Sequence, residues 1–264
     1  MNIHFYKYHG TGNDFIMIDD REQVFDRNDL QLVRQLCDRK FGIGADGLIL
    51  LGNLEGFDFE MVYFNADGSQ SMCGNGARCA VAFAEFLEMI RDKAHFMAID
   101  GPHQATLEQE QITLAMRDVG SLSNNKSDFF VDTGSPHHIR FVENIMDYPI
   151  LSEGAEIRYS DTYQPEGTNV NFLEKISSNG IFVRTYERGV ENETLSCGTG
   201  VTACALVFGY LNEINEVDIK TLGGMLKVKY SVAADGSFHD ILLIGPAKQV
   251  FKGEINIKTL ERSS

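Results

Sequence analysis

The feature that most constrains this chain is a short pattern that occurs twice. Cys73-Gly74-Asn75-Gly76-Ala77 leads into an apolar stretch, 77–90, broken mainly by Arg78, Glu85 and Glu88. Cys197-Gly198-Thr199-Gly200-Val201 leads into a second, 201–211, apolar apart from Thr202. A helix that is apolar all round has no face to offer water and must be buried. Two such helices each need a shell of other structure, and strands are what the rest of the sequence offers.

Short segments rich in β-branched and aromatic residues lie at 3–8, 15–19, 47–51, 57–64, 112–116, 129–132, 138–142, 169–175, 181–186, 217–221, 226–232 and 240–244. Turn sequences such as Asn65-Ala66-Asp67-Gly68 and Ser178-Asn179-Gly180 separate many of them. A further amphipathic helix is expected over 28–37, capped by Asp26. The doubling extends beyond the cysteines. Tyr63-Phe64-Asn65 and Asp67-Gly68 precede the first, and Thr185-Tyr186-Glu187 and Arg188-Gly189 precede the second. Each half also opens on a Gly turn, Gly10-Thr11-Gly12-Asn13 and Thr133-Gly134-Ser135-Pro136. The expected architecture is α/β, with two structurally similar domains. The polar run from Gly120 to Lys126 is the natural linker, which gives halves at 1–119 and 120–249, with 250–264 free to return to the first.

Composition excludes several classes of function. The 264 residues are 43% hydrophobic and 23% charged, the balance of a globular protein. A net charge of −15 without a dense Lys/Arg run speaks against nucleic-acid binding. No apolar run approaches the roughly 20 residues that span a bilayer, and Met1–Lys7 lacks the pattern of a signal peptide. A cytoplasmic protein is expected. Five scattered cysteines do not make a disulfide framework. His137 and His138 are adjacent, so in a strand they point to opposite faces, and no metal motif occurs. Neither glycine loop has the third glycine of a dinucleotide site, and nothing marks a Schiff-base lysine. The chemistry expected here uses no metal and no cofactor.

What Cys-Gly-x-Gly offers is a thiol and an anion site together. The first turn of a helix has N–H groups without intrahelical partners and a partial positive charge. Glycines let a carboxylate approach them, and a cysteine at the same end is shifted toward thiolate. Two similar halves facing one another would set two thiols on either side of one α-carbon. One thiolate removes the proton, the other thiol returns one to the opposite face, and the amino acid is inverted. Cys37, Cys79 and Cys204 sit within apolar stretches and read as small core residues.

These segments, together with Gly10-Thr11-Gly12-Asn13-Asp14-Phe15, Phe64-Asn65-Ala66-Asp67-Gly68-Ser69, Met72–Cys79, Tyr186–Gly189 and Ser196–Gly200, resemble the signature segments of the diaminopimelate epimerases, in that family's order. The resemblance implies strands wrapped around a central helix in each domain. It also implies cofactor-free conversion of LL- to meso-diaminopimelate in lysine and peptidoglycan precursor biosynthesis, and a homodimer. It implies Cys73 and Cys197 as the two bases, and Gly74, Asn75, Gly198 and Thr199 as N–H donors to the reacting carboxylate. Asn13 and Glu187 would hold ammonium groups, and Asn65, Asn169 and Arg188 the distal end. Two positions depart from the family: Ser135 stands where many members have Asn, and Gly47 where some have Gln. Racemisation of another amino acid such as proline or hydroxyproline is one alternative, and non-catalytic binding of an amino acid is another.

Overall fold

The computed structural model describes residues 2–125 and 128–260. The chain forms two compact units, Met1–Leu114 with Pro246–Ser264, and Ala115–Gly245.

In the first unit β1 (Asn2–Gly10) and β2 (Asn13–Asp19) form a hairpin, followed by α1 (Leu30–Cys37). β3 (Gly47–Gly52) lies parallel to β2, and β4 (Phe59–Asn65) antiparallel to β3. Then come α2 (Gly74–Phe86), β5 (Lys93–Ala98) parallel to β4, and the antiparallel β6 (Gly101–Glu108) and β7 (Gln111–Ala115).

The second unit opens with β8 (Ser123–Asn125) and β9 (Asp128–Asp132) and continues with β10 (Pro136–Phe141) and α3 (Ile150–Arg158). β11 (Asn169–Lys175) is parallel to β10, β12 (Gly180–Glu187) antiparallel to β11, and β13 (Asn192–Thr194) antiparallel to β12. α4 (Gly198–Asn212) follows, then β14 (Glu216–Thr221) parallel to β12, and the antiparallel β15 (Gly224–Val232) and β16 (Phe238–Pro246). The chain then returns to the first unit as β17 (Lys248–Asn256), antiparallel to β1, and α5 (Ile257–Leu260).

The two series of pairings have one order. β1-β2-β3-β4-β5-β6 and β9-β10-β11-β12-β14-β15 both run antiparallel, parallel, antiparallel, parallel, antiparallel. α2 and α4 enter at the same point of each series and pack against its strands. In α4 every residue from Gly200 to Gly209 is buried. Val201, Leu206, Val207 and Phe208 join Ile139, Leu173, Val183 and Val217 of the surrounding strands in one core. Each such side chain contributes about 1.5–3 kcal/mol on burial, so the central helix holds its shell closed. The fold is thus a doubled α/β architecture of strands around a helix, as the sequence leads one to expect.

Some local expectations are corrected. α1 begins at Leu30, and its cap is Asp29, whose carboxylate accepts from Leu32 N at 2.9 Å. Asp26 instead accepts from Asn28 N within the preceding turn. α2 begins at Gly74, and Glu88 at φ 58° lies beyond its end, so 87–90 leave the helix. Of the polar run read as a linker, Ser123–Asn125 pairs with β9, while Lys126 lies outside the described residues.

Candidate active site

Cys73 caps α2 from an extended backbone, φ −136°, and its Sγ accepts from Gly76 N at 3.5 Å. The hairpin turn before β2 reaches the same helix end. Thr11 and Gly12 take the positive φ values there, 50° and 87°, so Asn13 is not present to satisfy a turn. The Asn13 amide nitrogen donates to Asp46 at 2.7 Å. That leaves Asn13 Oδ1 facing Cys73 Sγ at 3.4 Å and accepting from Asn75 Nδ2 at 3.3 Å. Behind them lies Arg78, a guanidinium with no exposure, donating to Asn75 Oδ1 at 2.9 Å and to Thr11 Oγ1 at 3.3 Å. Asp14, bonded to Arg39 and Lys7, is held down to about 2 although burial alone would raise it.

Asn65, at the end of β4, takes the turn role open to it. Its carbonyl closes the turn to Gly68 N at 2.9 Å. Its side chain accepts from Tyr63 Oη at 2.8 Å and donates to Ser69 Oγ and Ser71 Oγ at 3.0 and 3.2 Å. Gly47 pairs with Asn65, and a Cβ there would lie 2.4 Å from Tyr63 Cε2. The Tyr63 ring fills the space a larger residue at 47 would need.

In the second unit Cys197 caps α4 with the same extended backbone, φ −114°, and its Sγ lies 3.5 Å from Thr199 Oγ1. Thr133 Oγ1 ties the turn before β10 to Thr199 O at 3.0 Å. Asn169, buried at the start of β11, donates to Ser135 Oγ and Pro136 O at 2.9 and 3.0 Å and accepts from Arg188 N at 2.9 Å. Glu187 accepts from Thr194 Oγ1 at 2.8 Å, and Arg188 Nη1 donates to Glu166 O at 3.4 Å. Ser135 therefore acts as an acceptor that locates Asn169.

Pairing registers put these residues in matching places. β2 meets β3 at Phe15–Gly47, as β10 meets β11 at His137–Asn169. β3 meets β4 at Ile49–Tyr63, as β11 meets β12 at Asn171–Thr185. Counting from these pairs, Asn13 corresponds to Ser135, Gly47 to Asn169, and Asn65 to Glu187. Asn13, Gly74 and Asn75 lie at the Cys73 end of α2, and Gly198 and Thr199 at the Cys197 end of α4, while Asn65 closes β4 as Glu187 closes β12, with Asn169 bound to the Arg188 backbone.

The other three thiols differ. Burial pushes the Cys37 thiol up to about 12, and raises those of Cys79 and Cys204 strongly. They remain protonated core residues.

The diaminopimelate epimerase family model matches residues 5–119 and 129–250. The chain belongs to the diaminopimelate epimerase family. The diaminopimelate epimerase of Flavobacterium psychrophilum is 51% identical over 255 residues, covering 95% of this chain and 99% of that one. The one from Chlorobaculum tepidum is 43% identical over 261 residues, covering 94% and 99%. Among solved structures, a Bacillus anthracis phenazine biosynthesis protein of the PhzF family superposes with a TM-score of 0.77 at 12% identity, covering 97% and 99% of the two chains. A hydroxyproline epimerase from Agrobacterium vitis with bound trans-4-hydroxy-L-proline gives 0.70 at 13% identity, covering 96% and 92%. Those two share the fold of the diaminopimelate epimerases.

Asn171, Thr185 and Arg78 are not marked out by the sequence pattern, and His137 enters it only through its place beside His138. The one signal for Asn171 is its spacing: in a strand, residues 169 and 171 share a face, and both are asparagine.

Proposed function

We propose that this chain epimerises LL-2,6-diaminopimelate to meso-diaminopimelate by a two-base reaction, with Cys73 and Cys197 as the acid/base pair. One cysteine, as thiolate, takes the α-proton, and the other, as thiol, delivers a proton to the opposite face of the carbon. The observation that carries this reading is that the two cysteines cap equivalent buried helices, each followed by Gly-x-Gly. The α-proton is a very weak acid, so charge developing on the carboxylate must be met as it forms. The first-turn N–H groups of Gly74, Asn75, Gly198 and Thr199 are the donors available for it.

Diaminopimelate carries two ammonium and two carboxylate groups. Asn13 Oδ1 and the Glu187 carboxylate are acceptors suited to ammonium, whereas the planar fork of Arg188 suits a carboxylate. Asn65 and Asn169, whose side chains are fixed by their own hydrogen bonds, complete recognition of the distal end. A proline-type substrate has no distal ammonium or carboxylate for such groups. The activity belongs to lysine and peptidoglycan precursor biosynthesis and proceeds without a cofactor. A cytoplasmic homodimer is the form that goes with this reading of the family. No helix among the described residues is long and apolar enough to cross a membrane. Incubation with LL-diaminopimelate, proline and hydroxyproline in parallel, followed by chiral chromatography, tests the assignment. Formation of the meso isomer alone is expected, and inversion of proline or hydroxyproline instead would overturn it.

A further inference from the structure

One buried place where the two halves differ in chemistry lies beneath the two cysteine-capped helices. In the first unit Phe15, Ile49 and the ring of Tyr63 meet there, with Phe15 edge-on to Tyr63 at 5.7 Å between centroids. The equivalent residues of the second unit are His137, Asn171 and Thr185, all buried and joined by hydrogen bonds. The match is checked independently by the helix. A Cβ at Gly76 would meet Ile49 Cδ1 at 3.1 Å, and one at Gly200 would meet Asn171 Oδ1 at 2.4 Å. In the first unit the fold closes here on Phe15, Ile49 and the face of a tyrosine ring, so a hydrogen-bonded network at this spot is not required by packing. A buried network that is retained where hydrophobic residues would serve calls for another reason.

The network leaves one orientation for each group. The His138 carbonyl can only accept, and the Asn171 amide nitrogen donates to it at 3.1 Å. The Thr185 hydroxyl donates to the Asn171 oxygen at 2.9 Å. The second amide N–H is thereby directed at His137 Nδ1, 3.1 Å away. That ring nitrogen must accept, so the imidazole proton resides on Nε2. Nε2 is buried and has no hydrogen-bond partner among the described residues. A buried donor without a partner is costly unless a ligand supplies the acceptor.

We infer that Asn171 is a positioning residue that holds His137 as the neutral Nε2–H tautomer, so that His137 serves this site as a hydrogen-bond donor and not as a proton acceptor. The chemistry around the ring agrees. Burial, and then the Arg188 charge, push His137 down to about 3. Protonation would also set an Nδ1–H against the Asn171 N–H. The acceptor for Nε2–H is an oxygen of the substrate, a part of the inference that rests on the epimerase reading. It leaves proton transfer to the thiols and makes the Cys197 half unlike its counterpart, in which Phe15 has no donor to give.

The test is long-range proton–nitrogen NMR on the full chain with ring-labelled histidine, the His137 signals being assigned from a His137→Phe sample. The wild type is expected to show Nε2 protonated and Nδ1 bare from pH 5 to 9. In Asn171→Asp the carboxylate should draw the proton to Nδ1, and kcat should fall by about tenfold with KM changed less than about twofold. An Nδ1–H ring or an imidazolium in the wild type would overturn the inference, as would an unchanged ring in a folded Asn171→Asp. Should that variant not fold, the wild-type spectrum decides alone. The spectrum does not depend on turnover, so an inactive protein with the expected ring would count against the epimerase reading and leave the tautomer standing.

Discussion

Oδ1 of Asn13 lies 3.4 Å from Sγ of Cys73, and it is held there because Nδ2 of the same amide is bound to Asp46 at 2.7 Å. The sulfur therefore faces a carbonyl oxygen that accepts from a thiol and repels a thiolate. A carboxylate in its place would add a full negative charge. Asn13→Asp is expected to disfavour the Cys73 thiolate, slowing its alkylation near neutral pH about tenfold. Alkylation of Cys197, read by peptide mass spectrometry in the same sample, should keep its wild-type rate. Equal slowing at both cysteines would show that the contact does not govern Cys73.

The second glycine of each loop faces a different neighbour. A methyl at Gly76 would press a flexible Ile49 terminus at 3.1 Å, whereas one at Gly200 would strike the Asn171 oxygen at 2.4 Å and crowd Cys197 Sγ at 3.3 Å. Gly200→Ala should cost about 1–3 kcal/mol in urea unfolding and most of the activity, with Gly76→Ala milder in both. A Gly76→Ala variant that is the more damaged of the two would contradict the packing described.

Gly47 and Tyr63 are coupled by the 2.4 Å approach that any Cβ at 47 would make to the ring, with Phe64 O a further 2.5 Å obstacle. Gly47→Ala is expected to destabilise by about 1–3 kcal/mol. In Gly47→Ala/Tyr63→Leu the ring is gone and the loss should be partly relieved, with a coupling above about 0.5 kcal/mol in denaturant titrations. Strict additivity would mean that Tyr63 is not what excludes larger residues at 47.

Much of this was legible in the sequence because the physics involved is local. The helices of Cys73 and Cys197 announce themselves by being apolar on every face, and a Gly-x-Gly after a cysteine has few other uses. What could not be read there has non-local causes. β6 begins Gly101-Pro102-His103-Gln104 and β17 is largely exposed, so neither shows the alternation that marks a half-buried strand. The role of Asn171 depends on its partners: His137 is brought beside it by the β10–β11 register, and Thr185 by the β11–β12 register. The space at Gly47 is set by a ring on the neighbouring strand. Cys37, Cys79 and Cys204 were separable from the other two because their apolar neighbours in sequence become their neighbours in the core.

His137 also predicts a pH dependence of stability. The unfolded chain binds a proton at this residue below about 6.5, whereas the folded protein resists until about 3. Its contribution is therefore present above 6.5 and is lost as pH falls through that window, at up to about 1.4 kcal/mol per pH unit. His138 shifts in the same direction. Asp14 acts lower, its share being lost between about 3.8 and 2. Urea unfolding between pH 7 and 4 should show a shallower loss for His137→Gln than for the wild type. Identical slopes would mean that His137 is not held neutral in the fold.

The central claim is that two cysteines share one inversion, each serving one face of the carbon. Epimerisation in deuterated water tests it at the atom concerned. With wild-type enzyme and LL-diaminopimelate, the meso product should carry deuterium at the inverted carbon while unreacted substrate stays largely protiated, because the proton leaves to one thiol and deuterium arrives from the other. Cys73→Ala and Cys197→Ala should each fold, by circular dichroism and thermal melting, and each lose about 10²–10⁴-fold or more in inversion. Inversion at near wild-type rates by either folded variant would contradict the two-base account.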